Sequence, residues 1–173
     1  MKATLAVLLL LVVGGANVPT SAQTQLPTGD WSFSHRPYVR PGAEAHPVRV
    51  TSVKGEASRL EISAEAISNQ SGKNVSGLRL SWYLTRDGEP NVVLRSGTTP
   101  TVFPLDIPSG ASHQGNVPVM AFADVYQPLV ISGQLRGRFV LEVAVTEVQY
   151  TDGTVWRAEG LPAKSGLVSA PSK

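Results

Sequence analysis

Histidine is the commonest general base and the commonest metal ligand, so His35, His46 and His113 come first. They stand far apart, and two lie in Pro-rich, loop-like sequence. No His-x-His or His-x-x-x-His spacing brings two imidazoles onto one face of an element, and no metal site is predicted. A Ser nucleophile would need a sharp strand-to-helix turn, and no Gly-x-Ser-x-Gly elbow is present. Glycoside cleavage needs two acids held across a cleft. Glu61 and Glu65, with Ser63 between them, fall instead on one side of an alternating stretch and read as a solvent-facing polar stripe. Asp87, Asp106 and Asp152 sit in turn sequence without calcium-loop spacing. The glycines are dispersed and form no phosphate-cradling loop. No catalytic residue, cofactor or metal is therefore predicted, and an enzyme, a hydrolase included, is not the expected class.

The aromatic residues are the remaining candidates. Trp31, Tyr38, Tyr83, Tyr126, Tyr150 and Trp156 offer large contact area at small entropic cost. Tyr83, Trp156 and Tyr150 are the candidate surface contacts, with a partner protein or as a sugar-stacking platform. Tyr83 faces away from the row of Trp82 by simple alternation. The competing expectation is that these rings pack against the N-terminal lead-in or the 124–137 segment.

Composition narrows the classes further. The 173 residues include 16 Gly, 13 Pro and no Cys. Without Cys there is no disulfide scaffold, zinc finger, thiol nucleophile or lipid-modified N-terminal cysteine. Lys plus Arg is 15 against 13 for Asp plus Glu, a net charge of +2, so the pI near 9.1 rests on a margin of two charges. The densest basic pair is Arg136 and Arg138, and nucleic acid is not an expected partner.

The N-terminus has the pattern of an export signal. Lys2 precedes an unbroken apolar run from Leu5 to Val13, and Gly14 and Gly15 end it. Small residues at Thr20 and Ala22 suit cleavage before Gln23, with a second possible site after Ala16. The run is shorter than the roughly 20 residues a spanning helix needs, so no stable membrane span is expected after cleavage. The predicted organisation is a cleaved signal at 1–22, a Pro-rich extended lead-in at 23–47, a β domain at 48–160 and a flexible tail at 161–173. The predicted location is periplasmic or extracellular.

Elements that would position these residues follow from a period of two. Val48 and Val50 open a strand reaching about Lys54. Leu60, Ile62, Ala64 and Ala66 alternate with polar residues up to the reversal at 69–74. Leu78, Leu80, Trp82 and Leu84 form the clearest strand, closed by Asp87-Gly88. A short return strand, Val92–Arg95, lies between prolines that confine it to an edge. A strand over 112–122 is expected to break or bulge near Pro118. Asp124 is placed to cap a helical turn with Pro128 early enough to be tolerated, which leaves at most one short helical turn near 124–132. Phe139, Leu141, Val143 and Val145 restart the alternation, which shifts phase near Thr146 or Glu147, the mark of a bulge. Asp152-Gly153 then turns the chain into Val155-Trp156-Arg157. About seven strands with almost no helix specify an all-β fold, an immunoglobulin-like antiparallel β-sandwich, with a partly open barrel as the alternative. Its predicted core is Leu60, Ile62, Leu78, Leu80, Trp82, Phe139, Leu141, Val143 and Val145.

The run from Glu61 to Leu84 resembles the first long hairpin of bacterial extracytoplasmic immunoglobulin-like domains of the FxLYD type. Asn69, Ser71, Gly72 and Val75 match that group's reversal between two alternating strands, and Trp82-Tyr83-Leu84 approximates its aromatic signature. The segment 105–110 resembles the turn opening a mid-domain strand in the same group. The resemblance implies a sandwich fold and an extracytoplasmic location, and carries over no catalytic residues. The function expected from all of this is a non-enzymatic domain making protein–protein contacts in the cell envelope, partner unknown, with the Val92–Arg95 edge as one route. The alternative is a carbohydrate-binding module that holds a glycan on exposed aromatics.

Overall fold

The computed structural model describes residues 30–39, 46–56, 61–121 and 123–159. The predicted signal at 1–22, Leu60 of the predicted core and the predicted tail at 161–173 lie outside the described residues. The elements in chain order are β1 (Trp31–Pro37), β2 (Val48–Glu56), β3 (Glu61–Asn69), β4 (Val75–Arg86), β5 (Glu89–Thr98), β6 (Phe103–Ile107), β7 (Ser112–Ala121), α1 (Ala123–Ile131), β8 (Gly137–Tyr150) and β9 (Val155–Arg157). They form two sheets, an all-β sandwich. One sheet is β2-β3-β7 and the other has β8 and β4 at its centre. β5 and β6 share the far side of β4, and β1 and β9 share the far side of β8.

The alternating rows of β4 and β8 build the interior. Leu78, Leu80 and Leu84 from β4, with Phe139, Leu141, Val143 and Val145 from β8, are at most 1% exposed, and Trp82 joins them at 8%. Ile62, Val48, Val50, Val117 and Val119 face them from the smaller sheet. The phase shift foreseen in β8 is a bulge at Thr146, since Leu80 pairs with Val145 while Arg79 pairs with Glu147. The break foreseen near Pro118 is also present: Ile62 pairs with Met120, Ser63 with Pro118, and Val119 is skipped. Asp87-Gly88 is a two-residue hairpin loop between the paired Arg86 and Glu89, and Gly88 takes the positive φ of 86° that such a loop requires. Trp82 lies across Gly97 of β5, where a Cβ would stand 2.6 Å from the indole nitrogen. Only glycine lets that ring lie flat on its cross-strand neighbour.

Several elements differ from the sequence reading. The lead-in contains a true strand, since β1 pairs with β8 over seven residues, and the pairing is parallel. Trp31 and Phe33 alternate inward onto the core, with Phe33 stacked on Phe139 at 4.9 Å. The sandwich thus includes Trp31–Pro37, ahead of Val48. The return strand after Asp87-Gly88 runs the length of Glu89–Thr98, because β4 supplies backbone partners beyond the short apolar stretch. The 124–132 turn is a nine-residue helix whose Val125, Tyr126 and Leu129 are buried. Asp124 falls inside its first turn, where its charge favours the helix N-terminus, and is not the cap. Pro128 is inside the helix, and the amides of Ser132 to Leu135 close its end on carbonyls of Pro128, Leu129 and Val130.

Candidate functional site

Tyr83 does face away from the row of Trp82, but the outer face it points to is covered. Tyr38 follows β1, donates its amide to the Val143 carbonyl and packs on a small second cluster of Tyr83, Val93 and Ala144. Tyr83 is 3% exposed as a result. Ring contacts continue from Tyr83 to Tyr38 at 5.5 Å, from Tyr38 to His46 at 6.5 Å and from His46 to Trp156 at 5.1 Å. The line of rings runs past the stretch of β8 edge between the end of β1 and the start of β9. His46 is half-buried in it. Trp156 is half-buried against the main core, and Tyr150 is 8% exposed within that core. Of the three candidate contact residues, Tyr83 and Tyr150 are buried and Trp156 keeps part of its surface exposed. Tyr83 belongs to the small second cluster, while Tyr150 and Trp156 belong to the main core.

Beside Tyr83 lies a group that sequence reasoning missed. Glu142 of β8 has a side chain with 0% exposure and accepts from Nε of Arg36 at 3.1 Å and from its Nη2 at 2.9 Å. The two residues are direct register partners across the parallel β1–β8 pair. A signal existed in the sequence, because Val140 and Ala144 flank Glu142 on its own face. Two apolar neighbours on an outward row mean that something covers it. The expected polar stripe on β3 also differs. Ser63 is buried at 8%, and half-buried Glu65, skipped in the register of β3 with β2, accepts from the Ser52 hydroxyl of β2 at 2.8 Å. Asp152 acts as a turn residue. It accepts from Lys73 at 2.8 Å and from the amide and hydroxyl of Thr154, and the Lys73 bond leads in holding its carboxyl well below the ordinary Asp range. Among the described residues, no three His, Cys, Asp or Glu side chains converge on one point.

A recess lies elsewhere, between β5 and the C-terminal end of α1. It has a volume of about 260 Å³ and is lined by Arg86, Val92, Val93, Leu94, Arg95, Pro128, Leu129, Ser132 and Gln134. Local backbone irregularity makes it. Thr85 pairs with Val93 and Leu84 with Arg95, so Leu94 is an extra residue in β5. Arg86 then pairs with Glu89, which leaves 90–92 looped out. Among the described residues, β5 has β4 as its only strand partner, so its other edge is unpaired by strand there. Val92, one of its lining residues, is 49% exposed. Sequence reading identified the edge strand but not the hollow, which needs a bulge and a helix that are distant in sequence. Compared with family models, with curated proteins and with solved structures, the chain matches none, so its function is read from this geometry.

Proposed function

We propose that this chain is an exported, non-enzymatic sandwich domain that acts by contact with another protein of the cell envelope, made along β5 and the adjoining recess. The observation that carries the proposal is the β5 edge itself, which among the described residues has one side unpaired by strand and adjoins a recess of about 260 Å³ lined in part by the exposed Val92. An edge of this kind binds by adding a partner strand, whose backbone supplies affinity and whose alternate side chains fill pockets. The N-terminal signal pattern and the likeness of 61–84 to extracytoplasmic FxLYD domains support the same compartment. A carbohydrate-binding module would need exposed, coplanar rings, and the burial of Tyr83 and Tyr150 favours the protein-contact reading.

Photo-crosslinking in the native host tests this. A benzophenone side chain placed at Val92 is expected to yield one discrete adduct of higher mass. The same group at Val155, which is 45% exposed on β9, is the comparison and is expected to yield none. Equal labelling from both positions, or none from Val92, would remove the edge as the working surface.

A further inference from the structure

We infer that the β5 recess selects an extended segment of a partner protein bearing an acidic side chain, and that Arg95 is the residue that reads it. This rests on the edge-binding reading above and names the chemistry of the segment it takes.

Directly paired residues of an antiparallel sheet share a face. Arg95 pairs with Leu84, which is fully buried in the core, so the bulge at Leu94 turns Arg95 onto the inner face at the mouth of the recess. An inner-face position on a sandwich strand normally holds an apolar residue. A charge there works against indiscriminate pairing, as do the looped-out 90–92 segment and Pro90, which has no amide hydrogen to donate. A strand that merely matches the backbone would desolvate the Arg95 guanidinium without compensation. A strand carrying a carboxylate at that point would neutralise it through a charge-assisted hydrogen bond.

The rest of the lining agrees in sign. It holds a second arginine and no acidic side chain. Arg86 is fixed in place, donating to the carbonyls of Arg136 at 2.6 Å and Gln134 at 3.4 Å, with its guanidinium 5.1 Å from the Phe139 ring centre. It is a rigid positive wall, while Arg95 stands at the free edge. Leu94 and Leu129 supply the apolar floor. Discrimination therefore combines an attractive contact for an acidic strand with a desolvation cost for a neutral one.

The test uses the exported chain and short alternating Val/Thr peptides blocked at both ends, identical except for one central Glu or Gln, with binding read by fluorescence anisotropy. The Glu peptide is expected to bind about tenfold tighter than its Gln twin, within the range of a charge-assisted contact. Arg95→Gln is expected to abolish the difference and Arg95→Lys to retain part of it, with urea midpoints confirming that both variants fold. Equal binding of the two peptides, or a preference that survives Arg95→Gln, overturns the inference and leaves the edge reading standing. A third peptide, with central Gln and a free C-terminus, completes the set, and tight binding confined to it also overturns the inference by moving recognition to a terminal carboxylate. If neither peptide binds while the Val92 adduct still forms, the inference falls alone. If neither binds and no adduct forms, both fall.

Discussion

Replacing Asn69 by Ala is expected to lower the unfolding free energy by about 3 kcal/mol, read as a fall in urea midpoint at unchanged slope. Asn69 is fully buried at the end of β3. Its amide group donates to the carbonyls of Lys73 at 2.8 Å, Ile107 at 2.9 Å and Pro108 at 3.1 Å. Its oxygen accepts from the amide and the hydroxyl of Ser71 at 3.0 and 2.6 Å. The main chain adds two more links, from its amide to the Ala111 carbonyl and from the Gly110 amide to its own carbonyl. One side chain thus joins the β3–β4 reversal to the β6–β7 turn, across the two sheets. The Ile107 bond is buried, so truncation leaves that carbonyl with no ready replacement, whereas the two part-buried carbonyls recover water. Asn69→Asp separates this account from simple loss of volume. It keeps the shape but at neutral pH aims a carboxylate at three carbonyls, and it is expected to destabilise at least as much as Ala. Wild-type stability in Asn69→Asp would show that the donor bonds contribute nothing.

Arg36→Met is expected to cost about 2 kcal/mol, and Glu142→Gln placed in the same chain to recover more than half of it. Glu142 is sealed at 0% exposure while the Arg36 side chain is 46% exposed, so the carboxylate depends on the pair far more than the guanidinium does. Removing Arg36 takes two charge-assisted hydrogen bonds from a buried carboxylate. Solvent reaching the arginine moderates the loss below the 3–5 kcal/mol typical of a fully buried pair. Gln carries no charge and keeps an acceptor oxygen of nearly the same shape. A double-mutant cycle read by urea unfolding checks this, and strictly additive single effects would mean that the two residues do not depend on each other. The consequence reaches beyond two side chains, because Arg36 lies on β1 and the pair pins that parallel strand to β8.

Much of the sandwich was legible from alternation because its central strands carry the strongest alternating rows. The row of Trp82 and the row of Leu141 specify both face and phase, and an interrupted phase at Thr146 specifies a bulge without any knowledge of the partner. β1 was not legible as a strand because four prolines between 27 and 47 obscure it and its hydrogen bonds go to a strand about a hundred residues away. The i, i+2 spacing of Trp31 and Phe33 was its one local trace. Tyr83 shows a second kind of limit. Strand parity gives the face a residue points to, but whether that face meets water depends on a separate segment, here Tyr38. The same gap hid Glu142. The β5 recess was invisible for a related reason, since a bulge changes which residues face inward and α1 arrives from the far side of β7.

Amide hydrogen exchange on the isolated chain tests most directly the claim that β5 carries an open edge available to a partner strand. Exchange should be slowest along β4 and β8, while the amides of residues 95–98 that point away from β4 should exchange close to the rate of unstructured chain. Protection of those β5 amides as deep as that of β4, with no partner present, would mean that the edge is already occupied and would contradict the account.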